Sequence, residues 1–221
     1  MDTGYSKWRK LDNAALAFPL VSGKNDTRVF RFYCQLKEMV NGELLQTALD
    51  QTMEKYPLFQ AVLRKGLFWF YLEHRDIRAT VKQETEPPCS RLYIPDKKSL
   101  LFQVTYYKNR INFEVFHALT DGTGAMHFLQ ELVQNYLIRK HPEAHLSRME
   151  SGEESTPWDQ EEDSFSQYYS LPEGKSEKKP TAVRLKGEKL PHEEMQITEL
   201  NIPVIEIHAK AKSYGVSITV F

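Results

Sequence analysis

Residues 113–128 read FEVFHALTDGTGAMHF. The first half belongs to a run, Ile111–Phe116, whose residues alternate in direction: Ile111, Phe113 and Val115 one way, Asn112, Glu114 and Phe116 the other. That is the period of a strand, and apolar side chains on both faces predict a central, mostly buried one. The second half changes period. From Thr123 onward, Met126, Leu129, Leu132, Val133, Tyr136 and Leu137 form one apolar stripe, the spacing of an amphipathic helix that stops near His141-Pro142. His117, Asp121 and Gly122 therefore sit at the seam where a strand hands over to a helix.

Working outward, Leu100–Tyr107 reads as the strand that turns at Lys108-Asn109-Arg110 into Ile111–Phe116. Upstream, Thr27–Val40 is rich in β-branched and aromatic residues and reads as one long strand, closed by Asn41-Gly42. A helical period follows through Leu44, Leu45, Ala48, Leu49, Thr52, Met53 and Tyr56, and Pro57 ends it. Phe59–Arg64 and Leu67–Glu73 read as a hairpin turned at Lys65-Gly66, with the aromatic run 68–71 packed inside. Downstream, Met195–Ile202 reads as a strand and Pro203–Ser213 as a helix ended by Tyr214-Gly215. The pattern as a whole is an α/β (α+β) fold with a mixed sheet flanked by helices.

The organisation expected is a lobe over 1–142, a charged exposed linker over 143–193, and a strand and helix over 194–221. The linker carries GEESTPWDQEEDS and PEGKSEKKP, charge blocks broken by prolines. Ser217 looks like the start of another element, yet only VSITVF is left around it. The expectation is that the sequence is the front part of a longer protein.

Composition excludes several classes. The 221 residues are 41% hydrophobic and 12% aromatic, enough for a real core, with 29 basic and 30 acidic residues and a net charge of −1. No global field draws nucleic acid or an anionic membrane. Two cysteines, Cys34 and Cys89, are too few for a disulfide framework and read as reduced thiols of a cytoplasmic protein. No run reaches the ~18 apolar residues of a membrane span. Gly122-Thr-Gly124 lacks the third glycine of a dinucleotide fingerprint. His117, Asp121 and His127 lack a close ligand pair for a metal site, so no metal is expected. His127 reads as a helix-surface or partly packed residue, and His141 and His145 as solvated.

The pattern His117-x-x-x-Asp121-Gly122, after a strand and before an amphipathic helix, resembles that of the CoA-dependent acyltransferase superfamily. This group includes chloramphenicol acetyltransferase, alcohol acetyltransferases, polyketide-associated acyltransferases and the condensation domains of nonribosomal peptide synthetases. WRKLDNAALAFPLV, LLQTALDQTMEKYPLFQAVLRKG and AKAKSYGVSITVF also look like segments of its alcohol-acetyltransferase-like branch. The likeness runs nearly end to end but covers only about half of a family member.

The resemblance implies two similar lobes around a tunnel, with His117 mid-tunnel as general base. Its co-substrate would be acyl-CoA, or a phosphopantetheine thioester on a carrier protein, and its acceptor an alcohol. No cofactor is held permanently. Asp121 would be structural, paired with an arginine, and Gly122 would keep the tunnel clear. Three departures stand out: Phe116 replaces a second histidine, Gln60 replaces the arginine that pairs with the aspartate, and no Asp-Phe-Gly-Trp-Gly motif occurs. Arg64 is the candidate substitute for that arginine. A carrier-dependent enzyme acting on an amine or hydroxyl, and a non-catalytic interaction module, are the alternatives. A lone lobe is expected to self-associate through its uncovered apolar face.

Overall fold

The computed structural model describes residues 8–24, 26–67, 69–148, 186–188, 190–191 and 194–221. Main-chain contacts divide the chain into two compact units, Met1–Lys178 and Lys179–Phe221. The expected linker over 143–193 lies mostly outside the described residues.

Among the described residues of the first unit, seven strands form two sheets. β1 (Trp8–Lys10), β4 (Phe70–His74) and β3 (Ala61–Lys65) make an antiparallel sheet in the order β1-β4-β3. β2 (Val29–Gln35), β7 (Arg110–Phe116), β6 (Phe102–Tyr107) and β5 (Val81–Gln83) make the second, in the order β2-β7-β6-β5. Among the described residues only the β5–β6 pair is parallel, so the sheet is mixed, as the sequence pattern predicts. β7 is an inner strand, and every residue from Ile111 to Phe116 is buried.

One face of that sheet carries the helices. α1 (Ala17–Val21) is a single short turn; α2 (Gly42–Lys55) and α3 (Gly122–Lys140) pack against each other, α2 also touching β5 and α3 touching β2. Asn41 caps α2, its Oδ1 accepting from the N–H groups of Glu43 and Leu44, each at 3.0 Å. The core is built on aromatic rings. Phe128 of α3 stacks on Phe113 of β7 at 4.7 Å and on Phe59 at 4.5 Å, and Phe102 closes edge-on against Phe59.

The opposite face holds a polar row beneath an irregular segment. Arg31, Glu114 and Gln103 are register partners across three strands. Arg31 places Nη2 2.7 Å from Glu114 Oε1 and 2.6 Å from Glu84 Oε1. Gln103 Nε2 and the Cys89 N–H both donate to Glu114. Burial alone would lower the Arg31 pKa, but the Glu114 charge and the hydrogen bonds to both carboxylates outweigh it and raise it. Tyr93 stacks on Phe116 at 5.2 Å, sealing the end of the row.

Several boundaries differ from expectation. The strand expected over Thr27–Val40 stops at Gln35, because its last partner, Arg110, is where β7 begins; the chain then wraps the turn, Leu36 N donating to Asn109 O. The expected Lys65-Gly66 turn is longer, closed by Gly66 N to Trp69 O at 2.7 Å, and Leu67 and Trp69 are exposed rather than packed. On α3 the buried stripe is rotated: Ala125, Phe128, Leu129, Leu132 and Tyr136 face the core while Met126 is exposed. The fit of Phe128 between two rings sets that rotation.

In the second unit, α4 (Val204–Ser213) follows Pro203 and closes through Gly215 in the left-handed region, φ 68°. The strand expected over Met195–Ile202 is not formed. Met195, Ile197, Leu200 and Ile202 are exposed and no strand pairs with them among the described residues. Alternation supplies only one face of a strand; the ladder needs a neighbour. No helix among the described residues is long and apolar enough to cross a membrane.

Candidate active site

Phe116 is the last paired residue of β7, its N–H donating to Leu101 O at 2.7 Å. His117 comes next, and its N–H reaches Arg28 O at 2.9 Å, at the head of β2. The chain then folds tightly, Leu119 N donating to Phe116 O, which buries Ala118 and Leu119. Arg9 Nη2 donates to Leu119 O at 3.4 Å, a tie from β1 to this loop.

The His117 ring is half-buried. The Phe18 ring lies flat against it, centroids 4.2 Å apart and planes 10° from parallel, and the Phe30 ring meets it at 4.8 Å and 56°. Neither imidazole nitrogen has a hydrogen-bond partner among the described residues. A neutral imidazole with both nitrogens uncommitted can accept a proton at one of them and return it.

Asp121 caps α3. Its Oδ1 accepts from Gly124 N at 2.8 Å, and its carbonyl takes the Ala125 N–H at 3.1 Å. A carboxylate there also faces the positive end of the helix dipole. The capping bond turns the carboxylate onto its own helix. Arg64 does not serve as its partner: Arg64 Nε lies 3.4 Å from Glu73 Oε2 across the β3–β4 pair. No ion pair to Asp121 is present among the described residues. Asp121→Ala is expected to lower stability by about 1 kcal/mol, the usual worth of such a cap, with a lower melting temperature as the readout.

The two glycines of the loop divide differently from expectation. Gly122 is not in the left-handed region, and a Cβ on it would only touch Phe32 Cζ at 3.9 Å. A Cβ on Gly124 would collide with Thr120 Oγ1. Within the lobe itself, the tight position is therefore Gly124.

His127, on α3, is half-buried, and no group of three His, Cys, Asp or Glu side chains among the described residues is arranged to hold a metal. A cavity of ≈ 590 Å³ opens beside Asn41, Gln46, Val81 and Tyr106, and one of ≈ 290 Å³ beside Leu36, Leu137 and Lys140. Neither is lined by His117. Both thiols are free, and burial pushes each up from its ordinary pKa.

No protein-family model matches the sequence, and no curated protein matches it. Solved structures do match by fold. The starter condensation domain of rhizomide synthetase is similar at a TM-score of 0.50 and 12% identity, over 62% of this chain and 39% of that one. A variant of that domain in complex with C8-CoA gives 0.51 at 12% identity, over 62% and 37%. The X-domain in complex with OxyB from teicoplanin biosynthesis gives 0.50 at 14%, over 67% and 36%. The fold is that of condensation domains. The chain spans about two fifths of the length of the structures it matches.

Proposed function

We propose that this chain is the histidine-bearing lobe of an acyltransferase of the alcohol-acetyltransferase-like type, working with a second lobe beyond residue 221. The observation that carries the reading is the imidazole of His117, held at the end of the inner strand with both nitrogens unpaired among the described residues, four residues before Asp121, the cap of α3. In the proposed reaction an imidazole nitrogen removes the proton from an acceptor alcohol. The alkoxide oxygen attacks the thioester carbonyl, and the tetrahedral intermediate expels the thiolate. The thiolate takes the proton back from the imidazolium. One C–O bond forms, one C–S bond breaks, and the products are an ester and a free thiol.

Acyl-CoA is the donor the reading favours, and the C8-CoA complex of a fold neighbour supports a thioester of that kind. The condensation-domain fold favours a second donor, an acyl group on a carrier protein, with an amine or hydroxyl as acceptor. The X-domain complex favours a third reading, an interaction module of the same fold. Supplying full-length protein with acyl-CoA plus an alcohol, and separately with loaded carrier, separates the three. Acceptor-dependent thiol release from CoA supports the first, release from carrier alone the second, and no release from either the third.

Gly122→Ala probes the space beside the base. Its stability is expected to stay within about 0.5 kcal/mol of wild type, since the added methyl meets only Phe32 at contact distance. Its turnover is expected to fall, because the methyl enters the space proposed for substrate. Unchanged turnover in this variant would remove Gly122 from the site.

A further inference from the structure

We infer that Phe18, Arg28 and Phe30 form the cradle that positions the proposed base, and that Phe18 is its decisive residue. This rests on the general-base reading of His117. A histidine ring attached to a strand end turns broadly about its last side-chain bond. The usual brake is a hydrogen bond to one ring nitrogen, and His117 has none among the described residues. Its orientation is instead set by packing: Phe18 lies flat on the ring at 4.2 Å, and Phe30 closes against it at 4.8 Å. A flat neighbour at that distance blocks rotation out of the plane without taking up a hydrogen bond from either ring nitrogen.

The same segment holds the main chain. The His117 N–H is bonded to Arg28 O, and Arg28 sits in the left-handed region at φ 54°, which breaks the extended path just before β2. Between the two anchors the loop is braced: Ser22 N donates to Phe18 O at 2.9 Å, Ser22 Oγ to Thr27 O at 3.2 Å, and Gly23 N to Asp26 O at 2.8 Å. On the other side of Phe18, its N–H donates to Ala15 O, and Ala15 N donates to Asp12 Oδ1 at 2.6 Å. Phe18, Arg28 and Phe30 thus fix one ring and one backbone amide from a single run of thirteen residues. A base held by stacking keeps both nitrogens for the proton it moves, which a base braced by a hydrogen bond does not.

The test uses full-length protein labelled with ¹³C-histidine, with the His117 imidazole resonance assigned by its loss in His117→Gln. In wild type that resonance is expected upfield, displaced by the ring current of Phe18. Phe18→Leu is expected to shift that resonance downfield, Phe30 being the one ring left against it, and to lower kcat about 100-fold, with KM for the thioester within about threefold. Phe18→Tyr, which keeps the ring, recovers both. Should the leucine variant lose its fold, Phe18→Met fills the volume without a ring and is read in the same way. An unmoved resonance, an unchanged kcat, or a rise in KM alone would overturn the proposal. Its failure is distinct from failure of the general-base reading, in which His117→Ala itself keeps the wild-type rate.

Discussion

Arg31→Met is expected to destabilise the protein by about 3–5 kcal/mol, the usual cost of removing one partner from a buried ion pair. The Arg31 side chain is 12% exposed and that of Glu114 1%, and both Glu84 and Glu114 lie within 2.7 Å of the same Nη2 nitrogen. Without Arg31, two carboxylates face each other under a covering segment with little water to solvate them. The methionine fills volume but offers no donor. Urea unfolding of the two proteins measures the difference as a shift in midpoint. A double variant, Arg31→Met with Glu114→Gln, is expected to regain part of the loss, because it removes one of the stranded charges while Gln103 and the Cys89 amide keep a neutral acceptor. The consequence reaches the site. Cys89, tied to Glu114, accepts Thr27 Oγ1 at 2.8 Å, and the next residue is Arg28, whose carbonyl holds His117.

His117→Ala in the full-length protein is expected to lower turnover about 10²–10⁴-fold, the range for loss of a positioned general base. The fold should tolerate the change. The ring is half-buried and hydrogen-bonded to no described residue, and the backbone bond to Arg28 survives the substitution. KM for the thioester should stay close to wild type, since the base acts on the acceptor's proton rather than on the donor's handle. Thiol release and circular dichroism on the same sample separate chemistry from folding.

The seam at His117 is legible in the sequence because two periods meet there. Alternation through Ile111–Phe116 and the helical repeat after Thr123 leave only the residues between them for the turn, and Asp121 is a residue type that caps helices. The face of α2 is legible for the same reason: Leu45, Ala48, Leu49, Thr52 and Met53 are buried, as is Tyr56 at its C-terminal cap, and Leu44 is half-buried. What the sequence hides is long-range. The Phe18–His117 stack joins residues about a hundred positions apart, and nothing in AALAFPLV marks Phe18 over its neighbours. β1 and β5 are three residues each, too short for any period, and exist through their partners. Glu114 looks like an exposed interruption of an apolar run until Arg31 is placed beside it by register. Gly122 draws notice as part of a motif, whereas the close approach at Gly124 depends on the position of the Thr120 side chain. Met195–Ile202 fails as a strand because no described strand pairs with it.

The central claim is that His117 moves the acceptor's proton in acyl transfer from a thioester. Its most direct test is the initial rate of thiol release from acyl-CoA by full-length protein, with and without an alcohol, in wild type and His117→Ala. The account predicts release that depends on the alcohol and falls at least about 100-fold in the variant. Equal alcohol-dependent rates in the two proteins would contradict it.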